Sequence, residues 1–457
     1  MVLHPIEYRY FTEEMKEIFS QAHKFEMWLK VEAALSQAHA EFGTIPKSAA
    51  DEISEKASLK YVKIERIHQI ENEIDHDLMA MVRALSEACK GDAGRYVHLS
   101  ATSYDIEDTA NALILTQASN LILQKLLLNL EELKTKCQKN KKLVCVGRTH
   151  GQHALPTTYG MRFGVWAAEF CRHIDRMREL LPRISVGKMS GAVGTMASYG
   201  ELGVPIQNKV MELLDLKPVL IANQILQRDR YAELILILAL IAGTVDKIAR
   251  QIRILQRNEI AELYEPFKKK QVGSSTMPQK RNPHKSERLC GLSRVIKSNT
   301  YIALENMTLE DERDLTNSAS ERVLFPETFV LLDYMLKELH TILSGLEFNK
   351  ENITKNLYLT EGAILTERLM LELVNKGIGR QEAHEILRTV AIQARTEKKS
   401  IRDLLKLHPI FSNKFSPTEL DELLDPKNYI GKAVEQVENL IQVIQSKYFD
   451  RSQGNKS

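Results

Sequence analysis

The sequence predicts an all-α protein built on several very long helices. Two observations predict it. Proline, which breaks helix interiors, is absent between Pro46 and Pro156 and again between Pro218 and Pro266, and Gly243 is the only glycine in the second interval. Apolar residues in these intervals recur at helical spacing, whereas the strict alternation that marks strands is confined to short stretches.

Taken in order, residues 1–105 read as shorter helices and loops. The stretch EDTANALILTQASNLILQKLLLNLEELKTKCQ then opens the long-helix region, with Ala112, Leu115, Ile122, Leu126, Leu130 and Leu133 close to a three-four spacing. Leu126, Leu127 and Leu128 make one turn apolar all round, the pattern of a helix buried among others. About 30 residues at the helical rise run roughly 45 Å. Residues 160–181, 228–264, 286–308 and 320–346 read the same way, with Pro326 expected in the first turn of the last. Near Asn349 to Tyr358 shorter helices resume, and the last ten residues are polar and expected to be mobile. The expected division is an N-terminal helical domain (1–105), a central long-helix bundle (106–352) and a C-terminal helical domain with a mobile tail (353–457).

Composition narrows the function. The chain has 457 residues, 62 Lys and Arg against 60 Asp and Glu, and a formal charge of +2. That balance argues against a nucleic-acid binder, which carries a marked basic excess. Hydrophobic residues at 44% and charged residues at 27% exclude a largely disordered chain. The N-terminus lacks the basic-then-apolar pattern of a signal peptide, and the most apolar run, LILILALIAG at 234–243, is too short to span a bilayer. Five cysteines (Cys89, Cys137, Cys145, Cys171 and Cys290), none in CxxC spacing, fit reduced thiols in a cytoplasmic protein.

Four stretches carry possible chemistry. KKKQVGSSTMPQKRNPHKSE (268–287) is a Gly-Ser loop dense in cations, and its N–H groups with Lys280 and Arg281 suit a carboxylate or phosphate. A solvated interhelical loop is the other reading. VGRTHGQHALPTTYG (146–160) holds His150 and His153; with no HExxH and no cysteine partner, proton transfer suits them better than a metal, and a hydrogen-bonded structural histidine is the other reading. His76, Asp77, His98, Thr102, Ser103 and Asp105 cluster before the first long helix, where helix capping and anion binding are both open. In EDERDLTNSASERV (310–323), Arg313 and Arg322 bracket Ser318, a set suited to phosphate or carboxylate. Arg9-Tyr10 is a weaker signal. No GxSxG, Walker A loop or dinucleotide GxGxxG in a βαβ context is present, so no cofactor and no metal is expected.

Together these stretches resemble the fumarase/aspartase superfamily of lyases. GSSTMPQKRNP is similar to its signature loop, and TSYDIEDTA and RTHGQHALPTT to its other two regions, in the expected order. Within it, EYRYFTEEM, IDHDLMAMVRALSE, SGAVGTMASYGELG, ILQRDR and ERDLTNSASERV most resemble the adenylosuccinate lyase family, over roughly residues 7 to 445. The resemblance implies three mostly helical domains with a central five-helix bundle, four subunits joined in a twenty-helix core, and active sites shared between subunits of a homotetramer. It implies β-elimination of fumarate from adenylosuccinate and from the succinylated aminoimidazole carboxamide ribotide of purine synthesis. Ser274 would be the base and His150 the acid, oriented by Glu287. Substrate would be held by Arg9, Tyr10, His76, Asp77, His98, Thr102, Ser103, Gln224, Lys280, Asn282, Arg313, Ser318 and Arg322. The chain departs from common family residues at Asp75, Ser100, Tyr104, Leu155, Gln279, Leu309 and Asp311. A sister lyase, either a carboxymuconate cycloisomerase or an argininosuccinate lyase, and a catalytically silent member are the alternatives.

Overall fold

The structure, a computed structural model, describes residues 3–268 and 270–450; most of the expected mobile tail, 451–457, lies outside them. The fold is all-α. The elements that position the site are helices α1 (Gln21–Glu41), α2 (Asp77–Ala88), α3 (Ser103–Asn140), α4 (Tyr159–Ile184), α5 (Asp229–Leu255), α6 (His284–Glu305) and α7 (Thr316–Ser344). A hairpin of β1 (Val144–Thr149) and β2 (Gln152–Thr158) is antiparallel. The described residues divide into two compact units, one of 3–126, 172–246 and 289–338, the other of 127–171, 247–268, 270–288 and 339–450. Every division falls inside one of the five longest helices, α3 to α7.

In the first unit the core is one apolar cluster. Phe25, Trp28 and Leu29 of α1 pack with Leu78, Met81 and Leu85 of α2, Ile106 of α3, and Ile206, Val210 and Met211. Helix starts are set by polar caps: the Ser20 hydroxyl accepts from the His23 N–H (3.1 Å) and the His76 ring from the Met79 N–H (3.4 Å). Charged residues inside this core are paired. Arg228, 3% exposed, forks onto Asp108 of α3 (2.8 and 3.0 Å) and Glu321 of α7 (2.9 and 3.2 Å), while Lys188 reaches Asp105 at 2.5 Å. Removing one member of such a buried pair strands its partner, so these contacts fix where α3 and α7 meet.

By length and composition α3 is, among the described residues, the one helix apolar enough to cross a membrane. Its Asp105, Asp108 and Lys125 are instead paired within the unit, Lys125 with Asp333 at 2.6 Å.

In the second unit, a C-terminal cluster holds Leu369, Leu373, Leu387, Leu405 and Phe411, all buried. A smaller one seats Val146 of the hairpin against Leu357, Ile364 and Leu365.

Three sequence expectations change. The helix expected over 228–264 ends at Leu255, because Ala261 takes a left-handed φ of 48° and Leu263–Tyr264 pairs as a short strand with Glu347–Phe348. Pro326 lies in the interior of α7, which begins at Thr316 rather than near 320; the lost N–H bond is tolerated because Leu324, Phe325 and Phe329 around it are buried. The stretch around His150 forms the hairpin Val144–Thr149 with Gln152–Thr158, which the sparse strand signals did not reveal.

Candidate active site

The first unit gathers most of the residues expected to hold substrate. Asp77, the first residue of α2, binds Arg322 at 2.8 Å and lies 3.6 Å from Lys24. Burial pushes the Asp77 carboxyl up, but Arg322 and Lys24 outweigh it and hold it below its usual range. Glu107, one turn into α3, has no such close partner, with Arg322 at 4.0 Å. Burial, reinforced by the Asp77 charge, raises it to about 7. A cavity of about 290 Å³ opens here, lined among others by Lys24, Tyr104, Glu107, Ser318 and Arg322. Two cations beside an easily neutralised carboxyl make a place that accepts an anion.

Around this cavity the polar residues before α3 are held in place. Thr102 immediately precedes α3: its N–H donates to the Asp105 carboxylate (3.0 Å) and its carbonyl accepts from the Asp105 N–H (2.9 Å). The capping side chain here is that of Asp105, and the Ser103 hydroxyl meets His76 at 3.4 Å. Asp105 also accepts from the N–H groups of Ser190 (2.8 Å) and Gly191 (3.0 Å), tying the SGAVG loop to the same helix end. His98 sits at a φ of 63° with its ring 2.6 Å from the buried Glu32. Burial opposes its charge, but Glu32 outweighs that by charge and hydrogen bond, so the imidazole pKa is raised. Gln224 accepts from Arg313 (2.8 Å) and donates to the Ala192 carbonyl (2.9 Å), and Ser318 accepts from Tyr104 (2.9 Å). Arg9 and Tyr10 touch each other at 3.1 Å, and the Tyr10 ring packs on Tyr334, further along α7 than Arg322.

The second unit carries the residues expected to transfer protons, His150 and Ser274. His150 and Gly151 are the two turn residues of the hairpin, both at positive φ (52° and 74°), with Thr149 paired to Gln152. Such a two-residue turn matches strand twist and thrusts its first side chain outward, and His150 is exposed. The hairpin is anchored by the buried Glu262, which accepts from Arg148 (2.5 Å), Tyr159 (2.7 Å) and Asn356 (2.9 Å). Burial pushes Glu262 up, and these three bonds outweigh it to leave its pKa lowered. His153, two residues past the turn, has a lowered pKa through burial and then Arg148.

In the signature loop the Ser274 Oγ accepts from the N–H groups of Thr276 (3.3 Å) and Met277 (3.1 Å). Asn282 closes the loop onto the Gly273 carbonyl at 2.8 Å, and a Cβ on Gly273 would lie 2.0 Å from the Lys280 carbonyl, so glycine alone fits. Buried Glu265 caps α6 by accepting from Lys285, Ser286 and the Ser286 hydroxyl. Lys280 is exposed. Glu287 lies 4.0 Å from Arg253.

Sequence reasoning missed Lys24, Glu32, Glu107 and Glu262, and singled out Tyr104 only as a departure. A signal existed for Glu32, a carboxylate in the otherwise apolar run Val31 to Leu35. For Glu262 there was none, because its partners lie 94 to 114 residues away.

The first unit thus holds a cavity lined by cations, and the second holds a histidine on an exposed turn and a serine oxygen held by N–H groups. The family model described as Lyase matches residues 7–297, and that described as Adenylosuccinate lyase C-terminus matches 362–440. Among solved structures, fumarate lyase from Mesorhizobium sp. BNC1 superposes with a TM-score of 0.88 at 30% identity, covering 95% of this chain and 98% of that one. The 3-carboxy-cis,cis-muconate lactonizing enzyme from Pseudomonas putida gives 0.89 at 31%, covering 97% and 99%. Fold and signature stretches thus define a lyase of the fumarase/aspartase superfamily. Adenylosuccinate lyase from Methanocaldococcus jannaschii is 50% identical over 98% of this chain and 97% of its own length, and that from Pyrococcus horikoshii 53% over 97% and 98%. The chain belongs to the adenylosuccinate lyase family.

Proposed function

We propose that this lyase eliminates fumarate from adenylosuccinate, leaving AMP, and performs the same elimination on the succinylated aminoimidazole carboxamide ribotide. The observation that carries the mechanism is the Ser274 oxygen facing two backbone N–H groups. A serine is a poor base at its ordinary pKa, and donors aimed at its oxygen favour the alkoxide. Ser274 takes the proton from the succinyl carbon next to a carboxylate, the electron pair forms the fumarate double bond, and the carbon–nitrogen bond breaks as His150 protonates the departing nitrogen. The charge that builds on the carboxylate needs fixed donors, a role for Lys280, Asn282 and loop N–H groups. Arg9, Tyr10, Ser318 and Arg322 hold the phosphate; Thr102 and Ser103 hold a carboxylate; His76, Asp77, His98, Gln224 and Arg313 line the site.

The same proposal includes a cytoplasmic homotetramer with three helical domains (1–105, 106–352, 353–457), a twenty-helix core and sites built from several subunits. Large apolar side chains left exposed on the long helices support it: Leu128 is 56% exposed, Leu240 52% and Tyr301 69%.

A sister activity is the second reading, favoured by the likeness to the muconate lactonizing enzyme at 31% identity; the 53% identity to the Pyrococcus horikoshii relative outweighs it. The test is to mix purified protein with adenylosuccinate, follow absorbance and identify fumarate by mass spectrometry. AMP and fumarate are expected; a folded protein giving neither would sink the reading.

A further inference from the structure

Tyr104 occupies the position after the Thr102-Ser103 pair and is almost wholly buried, 4% exposed. Three contacts meet on it. Its hydroxyl donates to the Ser318 Oγ at 2.9 Å. The Arg313 guanidinium lies 3.7 Å from its ring centroid, close cation–π contact. A second guanidinium, Arg228, lies 5.7 Å from the centroid and is itself locked by Asp108 and Glu321. The ring therefore has little freedom to move.

The polar atoms left over point to a ligand. Arg313 spends one nitrogen, Nη1, on Gln224, while its Nε and Nη2 are buried without a protein partner. Those two nitrogens form one edge of the guanidinium, the fork that grips two oxygens of a carboxylate or phosphate at once. Ser318 receives the tyrosine proton on its oxygen, so its own proton is left to donate. Burial, then the Glu107 charge, pushes the Tyr104 phenol well above its ordinary pKa, and it remains a donor at any working pH.

We infer that Tyr104 is a positioning residue that aims Arg313 and Ser318 together at one oxyanion of the substrate. The ring fixes the plane of the Arg313 fork from below, and the hydroxyl fixes the rotamer and proton direction of Ser318. The identity of the substrate rests on the adenylosuccinate reading; the clamp itself does not. With Ser318 among the residues that hold the phosphate, the oxyanion is the nucleotide phosphate; a succinyl carboxylate has the same chemistry, and binding of AMP against fumarate separates the two.

The test compares Tyr104→Phe and Tyr104→Leu with the parent, in adenylosuccinate turnover and in calorimetric binding of AMP and of fumarate. Tyr104→Phe keeps the ring under Arg313 and releases Ser318; it is expected to raise KM about five- to tenfold, the loss of one hydrogen bond, with kcat nearly unchanged. Tyr104→Leu releases both groups and raises KM further. Weaker AMP binding with fumarate unchanged assigns the clamp to phosphate, and the reverse assigns it to carboxylate. Parental KM and parental affinity for both ligands in Tyr104→Phe would overturn the inference. So would a fall in kcat that tracks lost thermal stability while KM holds, since that is ordinary packing. If the parent does not cleave adenylosuccinate, the functional reading fails, and inorganic phosphate binding then decides the clamp: weaker in Tyr104→Phe supports it, equal affinity overturns it.

Discussion

Glu107 and His98 show how single titratable groups set the charge of this site. Glu107 is buried beside Asp77 and Asp108, with Lys24 and Arg322 as the opposing cations, and its pKa is raised from 4.5 to about 7. A carboxyl with a raised folded pKa is stabilised as the acid, so ionising it costs stability as pH rises from the ordinary value through 7. Glu107→Gln removes that cost. The variant should be more stable than the parent at pH 8, by on the order of 1–3 kcal/mol, and the gain should vanish near about pH 4. Denaturant titrations at several pH values check this; a gain independent of pH would refute it. His98 runs the other way. Its raised pKa adds stability that is complete below the ordinary 6.5 and is lost as pH rises through the folded value. In Glu32→Gln the opposing carboxylate is gone while burial remains, so an NMR titration should find His98 at or below its ordinary pKa. A value still raised would mean that Glu32 is not the cause.

The β1–β2 hairpin is tied to the buried Glu262 as well as by its own ladder. Arg148, Tyr159 and Asn356 all donate to one carboxylate with no solvent exposure, and Arg162 lies 3.5 Å from it. Glu262→Ala leaves two arginines uncompensated, with an expected loss of about 3–5 kcal/mol by denaturant unfolding. Because the hairpin carries His150 at its turn, kcat should fall in the folded fraction as well. The lowered pKa of Glu262 means its stabilisation is present above about pH 4.5 and drains away as pH falls. A loss below about 1 kcal/mol would show that the strands hold themselves.

At the scale of the whole molecule, the candidate base and acid sit on separate segments, Ser274 in the loop before α6 and His150 on the hairpin. Ser274→Ala and His150→Ala should each lower kcat by about 10²- to 10⁴-fold while sparing the oligomer. If sites draw these residues from different subunits, refolding the two inactive variants together should restore activity. Random mixing leaves about one site in four with both residues intact. No recovery, with mixed oligomers present, would place both residues of a site in one subunit.

The sequence alone determined the class of fold and the chemistry-bearing stretches. Proline-free intervals and three-four apolar spacing are local properties, and so α3 to α6 were legible to within a few residues at most ends. Ser274 and Asn282 were legible through the resemblance of GSSTMPQKRNP to a signature loop; composition by itself left a solvated connector equally open. Tertiary structure decided the rest, because its causes lie far apart along the chain. The hairpin was missed because its strands show little alternation, and one contact that holds it, Arg148 to Glu262, spans 114 residues. The early end of α5 depends on a strand partner at Glu347–Phe348, and Pro326 is carried inside α7 by buried neighbours. Likewise nothing in TSYDIEDTA says that its tyrosine meets Arg313 and Ser318 from a segment 214 residues on in the latter case. Periodicity reports what one element prefers; only packing brings a buried donor to its acceptor and settles which charge has a partner.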